Sequence, residues 1–193
     1  MKKAFLLVVI LFVSVISTAC INNLAVQELN NKAKGYLEKG DYDNAISRLK
    51  SSIDLDSTIF ETHYNLGIAY TQAEKFPEAI DTFKNALKIK PDFTDTYYSL
   101  AVAQENYAKG IIDGSIKEKG KGEDSSKTID ESGTQSKKEL TKEEKEQVIK
   151  LLNDSMESYN TYLEKAADID NKSEIQEKIE YLKTQITKYT TEK

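Results

Sequence analysis

The 193-residue chain has no tryptophan, one cysteine, one histidine, two prolines and eight glycines. Each scarcity excludes something. A single cysteine cannot close an internal disulfide, so no disulfide framework holds the chain together. One histidine leaves little for metal binding or general-base chemistry. So few prolines and glycines exclude collagen-like and Pro-rich extended architectures. Arginine is nearly absent as well. Arg48 is the only one among 27 basic residues, which face 32 acidic ones for a formal net charge of −5. Nucleic acid rewards clustered Lys and Arg, so no nucleic-acid partner is expected of an acidic body.

What is present begins with an address. Lys2 and Lys3 precede Ala4 to Ile16, an apolar run interrupted by Ser14 alone. The run is shorter than the roughly 20 residues of a membrane-spanning helix and has the length of a signal-peptide core. Ser17, Thr18, Ala19 and Cys20 follow. Small residues ending at a cysteine resemble the lipobox of bacterial lipoproteins. Ser17-x-Ala19 also fits an ordinary signal-peptidase site. The lipoprotein resemblance implies a signal peptide over residues 1–19, a diacylglyceryl group on Cys20, and a lipid-anchored tether over 20–25. One acyl chain anchors marginally, whereas two or more hold a protein stably on a bilayer. Loss of residues 1–19 removes Lys2 and Lys3 and takes the net charge from −5 to −7. Ile21 stands where an Asp marks inner-membrane retention in some diderm bacteria. The expected address is therefore the cell envelope, on the outer membrane or the outer face of the plasma membrane.

A 34-residue period organises the rest. Tyr36 and Tyr70, Ala45 and Ala79, Leu49 and Phe83, and Ala33 and Gly67 are each 34 apart. Leu66 and Leu100, Gly67 and Ala101, and His63 and Tyr97 continue the register. This pattern resembles the tetratricopeptide repeat, a helix–turn–helix unit. Residues 60–93 match best, with Leu66, Gly67, Tyr70, Ala79, Phe83, Ala86 and Pro91 at the signature positions. Residues 26–59 keep Ala33, Tyr36 and Ala45 but carry Ser52 and Ser57 where Ala and Pro are usual. The resemblance implies an all-α fold: a short tetratricopeptide-type α-solenoid of helix–turn–helix units with a C-terminal capping helix. Gly67 and Ala101 are small because two helices should cross closely there, while Tyr70 and Phe83 fill the wider gap. Asp41 is placed to cap the second helix of the first repeat, and Pro77 to open that of the second.

The third repeat starts at Thr94 but departs from the pattern at Gln104, where Tyr is usual. Its first helix is expected over 94–108. Residues 109–141 hold five of the eight glycines and no aromatic side chain. Such a stretch buries too little apolar surface to offset chain entropy, and reads as a mobile or disordered insertion. Helical spacing resumes with Val148, Leu151, Leu152, Ser155, Tyr159, Tyr162 and Leu163, predicting the second helix over 142–168. Ile175, Ile179, Leu182, Ile186 and Tyr189 predict a last helix over 171–190, with a capping box at Ser173 to Gln176. That helix serves either as the terminal cap such arrays need, or as a short coiled-coil surface for a partner or second copy.

No catalytic constellation is present, and no cofactor or metal is expected. His63 occupies the packing position of Leu29 and Tyr97. Asp168, Asp170 and Asn171 resemble the start of a calcium loop, but Lys172 and Ser173 replace the next ligand and the glycine. The chain is therefore not expected to be an enzyme.

Binding is the better prospect. In the tetratricopeptide family the first helices of successive repeats line a concave, peptide-holding groove. If 63, 66, 67 and 70 pack inward, 64, 68 and 71 lie one step round the helix. That face carries Asn30, Lys34 and Leu37 in the first repeat, and Tyr64, Ile68 and Thr71 in the second. In the third it carries Tyr98, Val102 and Glu105. Tyr64 and Tyr98 are expected to be neighbours. An apolar-aromatic strip outside the core suggests a partner, unless these side chains pack on one another. Repeats that clamp chaperone carboxylate tails need cations where this chain has Asp95 and Ser99, so that clamp is not expected. Ile111, Ile112 and Ile116 could fold back over the groove. The expected function is a membrane-tethered adaptor or scaffold for protein or peptide partners in the bacterial cell envelope. The alternatives are a spacer or surface lipoprotein without a specific ligand, and a non-catalytic accessory subunit of an envelope or cell-wall machine. Oligomeric state is not legible.

Overall fold

Helices of 13 to 24 residues, joined at most places by turns of a few polar residues, build the chain. The computed structural model describes residues 23–116, 139–166 and 170–191. Residues 23–37 form α1. Then come α2 (Tyr42–Leu55), α3 (Phe60–Gln72), α4 (Phe76–Ile89), α5 (Thr94–Asp113), α6 (Lys142–Lys165) and α7 (Lys172–Thr191). Among the described residues there are these seven helices and no strand. None is long and apolar enough to cross a membrane. The chain divides into two compact units, Met1–Thr96 and Tyr97–Lys193.

In the N-terminal unit α2 packs on α3 and α3 on α4. Ala33, Ala45, Ile46, Leu49, Leu66 and Ala69 form one buried cluster, flanked by Tyr36, Leu37, Ile53, Tyr70 and Ala73. Burying each Leu, Ile or Phe side chain contributes about 1.5–3 kcal/mol. Gly67 is required at the α3–α4 crossing, where a Cβ would lie 2.5 Å from the Phe83 ring. The turns inside both hairpins repeat one device. Gly40 (φ 72°) and Glu74 (φ 57°), one period apart, adopt the left-handed conformation. Asp41 N–H then donates to Tyr36 O (2.9 Å), and Lys75 N–H to Tyr70 O (2.9 Å). These are helix-terminating Schellman motifs, which satisfy carbonyls left open at the helix end. The Asp41 carboxylate caps α2 by accepting from Asn44 N–H (3.3 Å), and Pro77 sits in the first turn of α4.

The C-terminal unit has an apolar seam and a polar one. α6 packs on α7; Val148 and Leu152 on α6, and Ile175, Ile179 and Leu182 on α7, are buried. Between α5 and α6, Ser155 Oγ donates to Ala101 O (2.9 Å), Tyr159 Oη to Glu105 Oε2 (2.9 Å), and Gln147 Nε2 to Tyr107 Oη (3.1 Å). Gln104 belongs to this seam. With its amide nitrogen turned toward α6, it donates to Ser158 Oγ (3.0 Å) and Leu100 O (3.2 Å). The departure from Tyr at this position is thus answered by a partner on the facing helix. Thr141 opens α6 with a capping box: its Oγ1 accepts from Glu144 N–H (3.1 Å), and Glu144 Oε2 accepts from Thr141 N–H (2.8 Å).

Several boundaries differ from those expected. Residues 23–25, assigned to the tether, are already helical. The first helix of the third repeat runs to Asp113 rather than 108, because Ala108 and Ile111 continue its buried face. Gly110 stays helical, and the Ile116 side chain fills the space a Cβ would take there; Gly114 (φ 75°) ends the helix. α6 ends at Lys165, short of 168. Ser173 is inside α7 rather than at its cap, since Ile175 N–H already donates to Asn171 O (3.1 Å). The expected signal peptide, Cys20 and residues 117–138 of the expected insertion lie outside the described residues.

Candidate functional site

On α1, Asn30 is committed to the fold. Its Nδ2 lies 2.9 Å from Val26 O, 2.9 Å from Ser52 Oγ and 3.0 Å from Thr62 Oγ1, tying α1 to α2 and α3. Ser52 and Thr62, both buried, lie 3.4 Å apart. Asn30 is therefore a strut of the hairpin stack, while its side chain stays half-buried. Lys34 is exposed. Leu37 is half-buried against the core cluster.

On α3, Tyr64 and Ile68 are half-buried, while Leu66, Gly67 and Ala69 between and beside them are fully packed. The Tyr64 ring stacks on Phe60 at 5.9 Å and meets Phe93 at 5.4 Å and Phe83 at 6.0 Å. Lys90 Nζ stands 5.1 Å over both Phe60 and Phe93. Such cation–aromatic contacts contribute about 0.5–1 kcal/mol where exposed. Thr71 Oγ1 donates to Gly67 O (2.9 Å).

In the C-terminal unit, Tyr98 and Val102 are half-buried on α5. The Tyr98 ring meets Tyr159 at 5.7 Å and Tyr162 at 5.5 Å. Glu105 accepts from Tyr159. Burial, and then the negative Glu105 beside it, push the Tyr159 phenol well above the usual tyrosine range. Lys165 Nζ stands 5.8 Å over Tyr97.

Tyr64 and Tyr98 thus each sit in an aromatic group of their own unit. Sequence reasoning missed Phe60 and Phe93 as companions of Tyr64, although Phe60 precedes it by the four residues that bring helical side chains together. His63 packs as expected: its ring Nε2–H donates to Ser57 O (2.8 Å), pinning the α2–α3 turn. In that turn Thr58, through its hydroxyl and then its N–H, holds the Asp56 carboxyl below the usual carboxylate range. Among the described residues no three His, Cys, Asp or Glu side chains are grouped to hold a metal ion. α3 thus offers half-exposed aromatic and apolar surface at Tyr64 and Ile68, α5 offers the same at Tyr98 and Val102, and Lys34 is exposed on α1.

These features are those of tetratricopeptide hairpins, and the chain carries such repeats. The tetratricopeptide repeat model matches residues 60–93, and a second TPR-repeat model matches 33–73. Among solved structures, the first TPR domain of Spaghetti (RPAP3), bound to an HSP90 peptide, shares 15% identity at a TM-score of 0.57, over 85% of this chain and 94% of that one. The second TPR domain of human RPAP3, in complex with an HSP70 peptide, shares 13% at 0.56, over 84% and 98%. The Arabidopsis OM64 TPR domain shares 10% at 0.55, over 86% and 98%. At such identities the likeness is one of fold: all-α, of tetratricopeptide type. No curated protein matches the sequence.

Proposed function

We propose that this chain is a membrane-tethered adaptor that holds a protein or peptide partner in a bacterial cell envelope, without catalysis of its own. One observation carries the binding half. Tyr64 and Ile68 on α3 keep exposed surface although Leu66, Gly67 and Ala69 already supply that helix's core contacts. Peptide-bound neighbours of the same fold, with their HSP90 and HSP70 peptides, support the mode. They do not support the same ligand, because Asp95 and Ser99 stand where clamps for acidic tails place cations. The sequence of residues 1–20 supports the tether, with Cys20 as its lipidated residue.

The test is photo-crosslinking in the native cell, with the reactive residue at Ile68 or Tyr98 and a control at Tyr181, which is 57% exposed on α7. Adducts with one discrete protein from Ile68 or Tyr98, and not from Tyr181, are expected. Equal yields at all three positions would leave a spacer without a specific ligand as the reading.

A further inference from the structure

Three of the four large apolar side chains left exposed among the described residues are Leu24 (69%), Leu55 (41%) and Ile89 (39%). They are far apart in sequence but belong to one end of the N-terminal unit. Leu24 is in the first turn described of α1, Leu55 is the last residue of α2, and Ile89 is the last of α4. Side-chain contacts hold these helix ends together. Asn30 on α1 reaches Ser52 near the end of α2 and Thr62 near the start of α3. Lys90, one residue beyond α4, stands over the ring of Phe60, the first residue of α3. Leu24 lies about 9 Å further out along α1 than Asn30, at a rise of about 1.5 Å per residue. The turns at 38–41 and 73–75 lie at the opposite helix ends.

The chain enters the unit at this same apolar end. Helix is already present at residue 23, and Cys20 is three residues earlier. Three residues of even fully extended chain span at most about 11 Å. A lipid on Cys20 therefore leaves no room for a flexible stalk.

We infer that the end of the N-terminal unit bearing Leu24, Leu55 and Ile89 rests on the lipid surface that holds the Cys20 acyl chains. The inference builds on the tethering proposed above. It orients α1–α4 with that end against the bilayer and the 38–41 and 73–75 turns away from it, so that Tyr64 and Ile68 on α3 face sideways. The contact is apolar rather than electrostatic. Asp54, Asp56, Glu61 and Asp92 share this end with Lys88 and Lys90, so it carries no excess of positive charge to attract anionic headgroups.

The experiment uses the full chain from a lipidating bacterial host, in phosphatidylcholine vesicles with brominated acyl chains. Lipidation occupies the native cysteine, so a single introduced one takes a fluorophore uniquely. Leu24→Cys, Leu55→Cys and Ile89→Cys probe the proposed contact; Lys39→Cys and Gln72→Cys probe the far end. Circular dichroism verifies the helical fold of each. Quenching at 24, 55 and 89 at least about twofold above that at 39 and 72, unchanged in about 1 M salt, is the expected result. Equal quenching at both ends, quenching at 24 alone, or quenching abolished by salt overturns the orientation and leaves the tether standing. An intact-mass measurement with no lipid on Cys20 overturns the tether itself, and the orientation with it.

Discussion

Gly67 and Phe83 set the spacing of α3 against α4, and they do so as a pair. A methyl group at 67 would meet the Phe83 ring at 2.5 Å, and Phe83 is fully buried. Gly67→Ala is expected to lower stability by about 1–3 kcal/mol, the range for overpacking a filled core. Phe83→Leu in the Gly67→Ala background should cost less than Phe83→Leu alone; urea denaturation of the four chains in the cycle measures that coupling. Asn30 makes the opposite kind of demand. Its amide serves hydroxyls on two other helices. Asn30→Ala should cost about 1–2 kcal/mol by leaving them less satisfied, and it should leave partner crosslinking from Ile68 unchanged. A loss of crosslinking with stability intact would return Asn30 to the ligand face.

At the scale of elements, the α5–α6 seam is the feature that distinguishes this chain, and its chemistry is sensitive to alkali. Folding pushes the Tyr159 phenol up, through burial and the Glu105 carboxylate. The unfolded chain gives up that proton near pH 10, while the folded chain keeps it. Its stabilising contribution is therefore fully present below about pH 10 and declines as pH rises above that value. Tyr159→Phe removes both the titration and the hydrogen bond. The wild-type urea midpoint should start higher at neutral pH and fall more steeply above pH ~10 than that of Tyr159→Phe. Parallel declines would place the alkaline sensitivity elsewhere. The seam also marks the limit of what the sequence makes legible. The 34-residue period reveals α2, α3, α4 and their turns, because it counts backbone geometry and side-chain size. Gln104 registers only as a missing Tyr, since its answer, Ser158, lies 54 residues on, across the insertion. The structural role of Asn30 is hidden for the same reason: its position round the helix matches a groove residue, but Ser52 and Thr62, which its amide serves, leave no periodic trace. Gly110 resembles a helix end because a lone glycine carries no sign that Ile116 will return to fill its space.

At the scale of the molecule, the repeat-family matches reach only residues 33–93, within the N-terminal unit, whereas the helical architecture runs on through α7. The C-terminal unit is therefore the part whose folding most needs a test. Its apolar core is shared between α6 and α7, with Ile175, Ile179, Leu182 and Tyr189 all buried from the α7 side. At about 1.5–3 kcal/mol per side chain, an upper estimate, α7 supplies roughly 6–12 kcal/mol of burial. That is comparable to the whole stability of a typical domain, about 5–15 kcal/mol. A chain ending at residue 170 should thus lose native packing in α6, which α7 packs against, rather than merely soften. The N-terminal core draws Leu49, Ile46 and Leu66 from its own helices, so α2 and α3 should stay folded. Hydrogen exchange on the truncated chain separates the possibilities. Fast exchange throughout α6, with slow exchange kept in α2 and α3, would establish α7 as the structural closure of the C-terminal unit. Slow exchange retained in α6 would show that the unit does not need α7, and would shift weight to its role as a surface for a partner helix. Fast exchange everywhere would mean that the two units unfold as one cooperative body, with stability set at its C-terminal helix.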